Sequence, residues 1–282
     1  MKHQTCRQVK RLHSAFLSNT LASFVLHCCG LNGDRQLTQI RSKAMKVRLR
    51  NSDLPNYKRY LRAAFPGLKA SVRMEAMARG LGFKSYSTLL SAVSSSRQTC
   101  ALSEDDFIAY SELHGYVADR RQFSRATVRV MLKSVLDLND RLTTHGYHLP
   151  DRYGGAGPKY TSEFSRARAE FYDDAFCDQF ELALLFLQHA ERRKTLNRNF
   201  TTYNLKHTAE NVSRKHLLRT ELGDYVCNGV FIAAAIYEEF DIRPTSWDSM
   251  SGYLNISSKS RAAFRDGPTA RNILMHEDQH AA

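Results

Sequence analysis

No stretch of this 282-residue sequence approaches the roughly eighteen uninterrupted apolar residues that a membrane-spanning helix needs. The nearest candidate, AFLSNTLASFVLHCCG, is broken by Ser18, Asn19, Thr20, Ser23 and His27. It follows a basic MKHQTCRQVKRLH in the layout of a secretory signal, but His27 stands where cleavage before Cys28 wants a small residue. A cytoplasmic protein without a membrane partner is the expectation. The six cysteines form no C-x-x-C pair and no regular framework, which excludes a disulfide scaffold and leaves reduced, mostly buried thiols. The glycines of RYGGAGPKY lack the G-x-x-x-x-G-K-[ST] order of a phosphate-cradling loop and read as a hinge. Internal repeats and low-complexity segments are missing too, so no repeat architecture is expected.

Acidic residues are scarce at one end only. Residues 1–44 hold 7 Lys/Arg against 1 Asp/Glu, residues 45–100 hold 11 against 2, and residues 101–282 hold 23 against 25. The whole net charge of +13 therefore sits in the first hundred residues, on a protein whose 43% hydrophobic content is ample for a core. A near-neutral body with a basic front is the electrostatic footprint of a polyanionic partner, most often nucleic acid. The plain alternative is a solubilising surface.

Helical periodicity dominates what is present. Asn56–Phe65 places Tyr57, Tyr60, Leu61, Ala64 and Phe65 on one side and ends at Pro66-Gly67. Ser103 opens a second helix as an N-cap followed by early acids. Val128, Met131, Val135, Leu138 and Leu142 predict one long amphipathic helix from Ser124 to about Thr144. Another is expected from Ser162 to about Asn199, closed by the cationic ERRKTLNR, and a polar one from Tyr203 to Arg219. Tyr225 to Phe240 is apolar nearly all round, which predicts a buried helix, with Val226–Ile232 also readable as a strand. The fold class is mainly α. Four parts follow: 1–44, a basic extension or sequence upstream of a start at Met45; 45–100, a basic helical module; 101–150, a helical connector; and 151–282, a larger helical domain.

Three stretches invite a chemical reading. His276, Glu277 and His280 have the His-Glu-x-x-His spacing and resemble the zincin metallopeptidase motif. A catalytic zinc needs a third protein ligand, and only Ala281 and Ala282 follow, so no metal, cofactor or catalytic role is assigned there. Tyr203, Lys206, His207 and Asn228 form a second polar group, the basis for a minor alternative in which the C-terminal part is an enzyme. His216 lies nine residues from His207, on the opposite side of a helix, so the two do not share a metal.

The third stretch is ASVRMEAMARGLGFKSYSTLLSAV. A helix through Met74, Met77, Ala78 and Leu81 stops at Gly82, and a second starts around Ser85 with Tyr86, Leu89, Leu90 and Val93 facing inward. Ala78 precedes Gly82 by four residues, so the pair resembles a helix-turn-helix. Its second helix departs from that motif: positions six and nine past the glycine are Thr88 and Ser91, not apolar residues. Met74-Glu75, Ala78-Arg79, Leu81 to Lys84, Tyr86 and Thr88-Leu89 also make the stretch similar to a short module of glyoxalase-superfamily-related proteins. That resemblance covers about twenty residues and implies a compact appended helical hairpin, without the enzyme's chemistry. Together with the charge, this points to a nucleic-acid-associated regulatory or accessory protein that contacts phosphates through Lys58, Arg59, Arg62, Lys69, Arg73, Arg79 and Lys84. The larger helical domain is expected to bind a protein partner or another copy of the chain, and the alternative to the whole reading is a protein-interaction or regulatory module whose interface is the helix from Ser124 to about Thr144.

Overall fold

The computed structural model describes residues 45–148, 157–216 and 220–260. They belong to one compact unit, Ala44–Ala282. The amino-terminal extension, the hinge glycines and the His-Glu-x-x-His segment lie outside the described residues, apart from the edge of the hinge at Gly157.

The fold is mainly α, with two small two-stranded sheets. Strand β1 (Lys46–Leu49) pairs antiparallel with β2 (Gln98–Ala101), Val47 opposite Cys100. Between them run α1 (Leu54–Ala64), α2 (Ala70–Gly80) and α3 (Tyr86–Ser95). In β1, Met45, Val47 and Leu49 are buried while the intervening Lys46 and Arg48 point the other way, the period of two that a half-covered strand requires. In α1, Tyr57 and Leu61 are buried and Lys58, Arg59 and Arg62 are exposed, as the periodicity predicts.

Helix α4 (Glu104–Leu113) opens with the Ser103 side chain accepting the Asp106 N–H. It is followed by α5 (Gln122–Leu136), the central element: α1 packs on it, and so do α7 (Asp174–Leu187) and α9 (Asn228–Tyr237). Phe107 of α4 stacks on Phe123 of α5 with centroids 4.4 Å apart, and Phe65 meets Phe107 at 4.7 Å. Gly80 lies against this aromatic stack, where an added Cβ would come within 2.5 Å of the Phe123 ring. Its small size, rather than its flexibility, is what the packing uses.

Two helices are shorter than the sequence predicts. Helix α5 ends at Leu136, not near Thr144, and Leu138 is 83% exposed. The chain is turned by Arg168 of α6 (Pro158–Ala169), whose guanidinium donates to the carbonyls of Leu136, Asn139, Asp140 and Leu142. One side chain from elsewhere in the sequence gathers four carbonyls at the helix end, two of which, Leu136 and Asn139, also accept a backbone N–H. The segment expected to be helical from Ser162 to Asn199 breaks at Glu170–Tyr172, a 3₁₀ turn that drives Phe171 into the core. It restarts as α7 and then leaves helical geometry after Gln188.

The expectations for the last helices fare better. Helix α8 (Thr202–His216) lies close to its predicted span. Helix α9 is buried along Asn228 to Ala235, which settles the ambiguity between helix and strand at Val226–Ile232. It sits so close to the turn after α5 that a Cβ on Gly229 would be 1.8 Å from the Thr143 carbonyl oxygen. Strands β3 (Ile242–Pro244) and β4 (Gly252–Leu254) close the described chain. One apolar core runs from Met45 to Ile256 and draws on all of these elements except α6.

A ladder of charges joins α5 to α7. Arg121, Arg125 and Arg129, each four residues apart, face Asp174, Asp178 and Glu181. Asp178 receives three bonds: from Arg121 Nη2 at 2.7 Å, Arg125 Nε at 3.0 Å and Arg125 Nη2 at 2.6 Å. Burial pushes the Asp178 carboxyl up, and the two guanidiniums more than offset this, holding it below the usual carboxylate range. Arg121 has a left-handed backbone (φ 75°). Its N–H and that of Ser124 are both taken by the Glu104 carboxylate at 2.6 Å, so the first residue of α4 caps α5.

Candidate nucleic-acid interface

Residues 45–100 contain two acids, Asp53 and Glu75, and the fold turns both onto backbone. Asp53 accepts the Arg50 N–H at 2.8 Å, and Glu75 accepts the Tyr86 N–H at 3.0 Å, at the start of α3. Apart from Lys46, whose backbone pairs with the Gln188 side chain, the cations divide into three groups. Arg48, Arg50 and Arg97 converge on Glu238 and Glu239 beyond α9, where the Arg97 bond first and the other guanidiniums after it hold the Glu239 carboxyl low. Arg73 is buried and donates to the carbonyls of Phe65 and Leu68, tying down the turn between α1 and α2. Burial, then the neighbouring Arg62 charge, lowers the Arg73 pKa. Its guanidinium is committed to structure, so Arg73 leaves the contact set that the charge count suggests.

The third group is Lys58, Arg59, Arg62, Lys69, Arg79 and Lys84. All six are exposed, and none has a carboxylate partner among the described residues. Arg59 lies over the Tyr60 ring at 4.4 Å and Arg79 over Tyr110 at 5.7 Å, contacts that steady a guanidinium without neutralising it. Lys58 and Arg62 share a face of α1 by their spacing of four. Lys69 immediately precedes α2; Arg79 and Lys84 stand at its far end. An eleven-residue helix is about 16 Å long, so Lys69 and Arg79 stand near opposite ends of that length.

The hairpin of α2 and α3 has the turn that the sequence suggests. Gly82 takes φ +80°, with open space where a Cβ would be. Ser85 caps α3 by accepting the Thr88 N–H at 3.1 Å. Ala78, Leu81 and Leu89 are buried, and Thr88 and Ser91 are exposed. The residues that carry the glyoxalase-related resemblance are thus largely those that build the hairpin.

The C-terminal group is partly assembled. Lys206 is buried, with Nζ 3.0 Å from Glu210 Oε1 and near the rings of Tyr203 (5.1 Å) and Tyr225 (4.9 Å). Glu210 also meets His207 Nδ1 at 2.6 Å and accepts the Val226 N–H at 3.1 Å. Glu210 is therefore saturated, and it ties α8 to the start of α9. Asn228 is used separately: its Oδ1 accepts the Thr202 hydroxyl and its Nδ2 donates to the Met250 carbonyl. Burial raises the thiols of Cys100 (to about 11), Cys177 (to about 12) and Cys227, so none of these three is an activated nucleophile. Among the described residues, no three His, Cys, Asp or Glu side chains gather as a metal site, and no helix is long and apolar enough to cross a membrane.

Comparison with protein-family models, with curated proteins and with solved structures gives no match.

Proposed function

We propose that the protein is a nucleic-acid-associated regulatory or accessory protein that contacts phosphates through Lys58, Arg59, Arg62, Lys69, Arg79 and Lys84. One observation carries this reading: these six cations have no carboxylate partner among the described residues, while both acids of the segment are turned onto backbone N–H groups. A merely solubilising surface has no need to keep its own acids out of reach of its bases. The exposed face of α3 offers hydroxyls rather than base-reading Arg, Asn or Gln, so affinity rests on salt more than on sequence. Helix α5, the interface of the protein-interaction alternative, has its apolar residues buried against α1, α7 and α9. A partner on the protein-interaction reading would therefore dock on a surface other than the apolar side of α5.

The test is binding of the full-length protein to labelled single- and double-stranded oligonucleotides over a salt series. Replacing Lys58, Arg59 and Arg62 by Ala is expected to weaken binding. It should also flatten the log–log salt dependence by about 0.9 for each duplex phosphate that is no longer neutralised. Stability should hardly change, because the three side chains lie off the buried face of α1. No binding of the native protein even at low salt, where attraction is least screened, would replace this reading with the protein-interaction one.

A further inference from the structure

A cleft of about 480 Å³ opens between the segment that follows α7 and strand β3, lined by Lys194, Thr195, Leu196, Arg198, Asp241, Ile242 and Arg243. Its first wall is irregular in path but fixed in place. Arg193 N–H donates to the Asn255 carbonyl at 2.7 Å and Asn197 N–H to the Leu254 carbonyl at 2.7 Å. The buried Asn197 amide donates to the Ile256 carbonyl and the Ser258 hydroxyl, both at 3.0 Å. Asn255 holds both walls: its Nδ2 donates to the Arg193 carbonyl on one side and to Asp241 Oδ2 on the other, while its Oδ1 accepts the Asp241 N–H.

The consequence is a braced mouth with a net positive charge. Lys194, Arg198 and Arg243 are exposed and form no ion pair among the described residues, and Asp241, held by Asn255, is the one acid of the lining, so three positive charges stand against one negative. Elsewhere in residues 101–260 bases commonly meet acids, as in Arg192 with Glu238 and Arg214 with Asp224. Two guanidinium forks and an ammonium suit a phosphate, which a fork can grip through two parallel bonds. The volume lies in the range of small-molecule sites, and Leu196 and Ile242 supply apolar wall.

We infer that this cleft is a phosphate-binding site, for a free nucleotide or for the backbone of a bound nucleic acid. It is separate from the cations of α1 and α2, and it stands whether or not the proposed function does. Inorganic pyrophosphate, ATP without magnesium and a single-stranded oligonucleotide are titrated against the full-length protein by calorimetry. The variants are Lys194→Ala with Arg243→Ala, the single Arg243→Lys, and the Lys58/Arg59/Arg62→Ala protein. Pyrophosphate affinity should fall at least about 10-fold in the double variant. It should fall severalfold in Arg243→Lys, which keeps the charge but loses the fork, and stay unchanged in the triple variant. ATP binding that the oligonucleotide does not displace identifies a nucleotide site; displacement, with oligonucleotide affinity lowered in the same double variant, identifies a backbone contact. Failure of all three probes to bind saturably overturns the inference. So does pyrophosphate binding that the triple variant weakens as much as the double, or that the double variant leaves intact.

Discussion

Replacing Asp178 by Ala should destabilise the protein by about 3–5 kcal/mol, the usual cost of leaving a buried ion-pair partner uncompensated. Three charge-assisted bonds disappear with that carboxylate, and each is worth roughly 1.5–3 kcal/mol, so a plain sum starts near the top of that range and runs well past it. The remaining partners reduce it: Arg121 keeps Glu181 at 2.9 Å, and Arg125 keeps Asp174 at 3.0 Å. The lower part of the range, about 3 kcal/mol, is therefore expected. For a chain of this size that lowers Tm by roughly 6–12 °C. Asp178→Asn, which keeps one acceptor and the shape, should cost less. Urea titration of both variants measures the loss, and a double-mutant cycle with Arg125→Ala isolates the pair. Because the folded-state pKa of Asp178 lies below its unfolded value, its contribution is complete above about pH 4 and disappears as the pH falls further. The acid limb of a stability–pH curve should therefore be shallower in Asp178→Asn than in the native protein. A loss under about 1 kcal/mol for Asp178→Ala, or a coupling energy of zero, would refute the reasoning.

Other perturbations test other parts of the fold. Gly80→Ala pushes a methyl group into the Phe123 ring and should cost about 1–3 kcal/mol by overpacking, read as a lower urea midpoint with unchanged m. Ile232→Asp puts an unpaired charge in the middle of α9 and should abolish soluble expression; a soluble variant with a cooperative melt would contradict the burial of that helix. Arg168→Ala removes a donor from four carbonyls, of which Leu136 and Asn139 keep a backbone N–H, and should raise amide exchange in residues 137–142 well before the core opens, with a stability loss of a few kcal/mol.

What was legible in the sequence was whatever a few neighbouring residues decide. Ser103 and Ser85 cap the helices that they precede, Gly82 takes the left-handed turn, and Tyr57 and Leu61 face inward from the period of α1. The missed features depend on distant partners. Leu138 and Leu142 continue the helical spacing of α5, but Arg168 stops the helix earlier by gathering its carbonyls. Arg73 has the same local signature as Arg79, and only the turn at Phe65 and Leu68 shows that one is structural and the other free. Strand β1 did carry a signal, the alternation of Met45, Val47 and Leu49 with Lys46, Arg48 and Arg50, but its partner is about fifty residues away. ERRKTLNR suits a helix end by charge, yet it forms the wall of a cleft because Asn255 fixes it there.

The pairing of β1 with β2 also has a mechanical meaning. The register sets Lys46 opposite Ala101, so the chain enters and leaves residues 46–101 at the same end of the ladder. Traction that draws Met45 away from Leu102 loads the ladder bonds one after another rather than all together, the weak direction for a strand pair. Peeling β1 also breaks the bonds between Gln188 and the Lys46 backbone and uncovers Met45, Val47 and Leu49. Each of these apolar side chains gives up roughly 1.5–3 kcal/mol of burial when fully exposed. Force applied from the amino-terminal side therefore reaches this seam first, where the bonds of Arg48 to Tyr237, Glu238 and Glu239 add to the ladder's resistance.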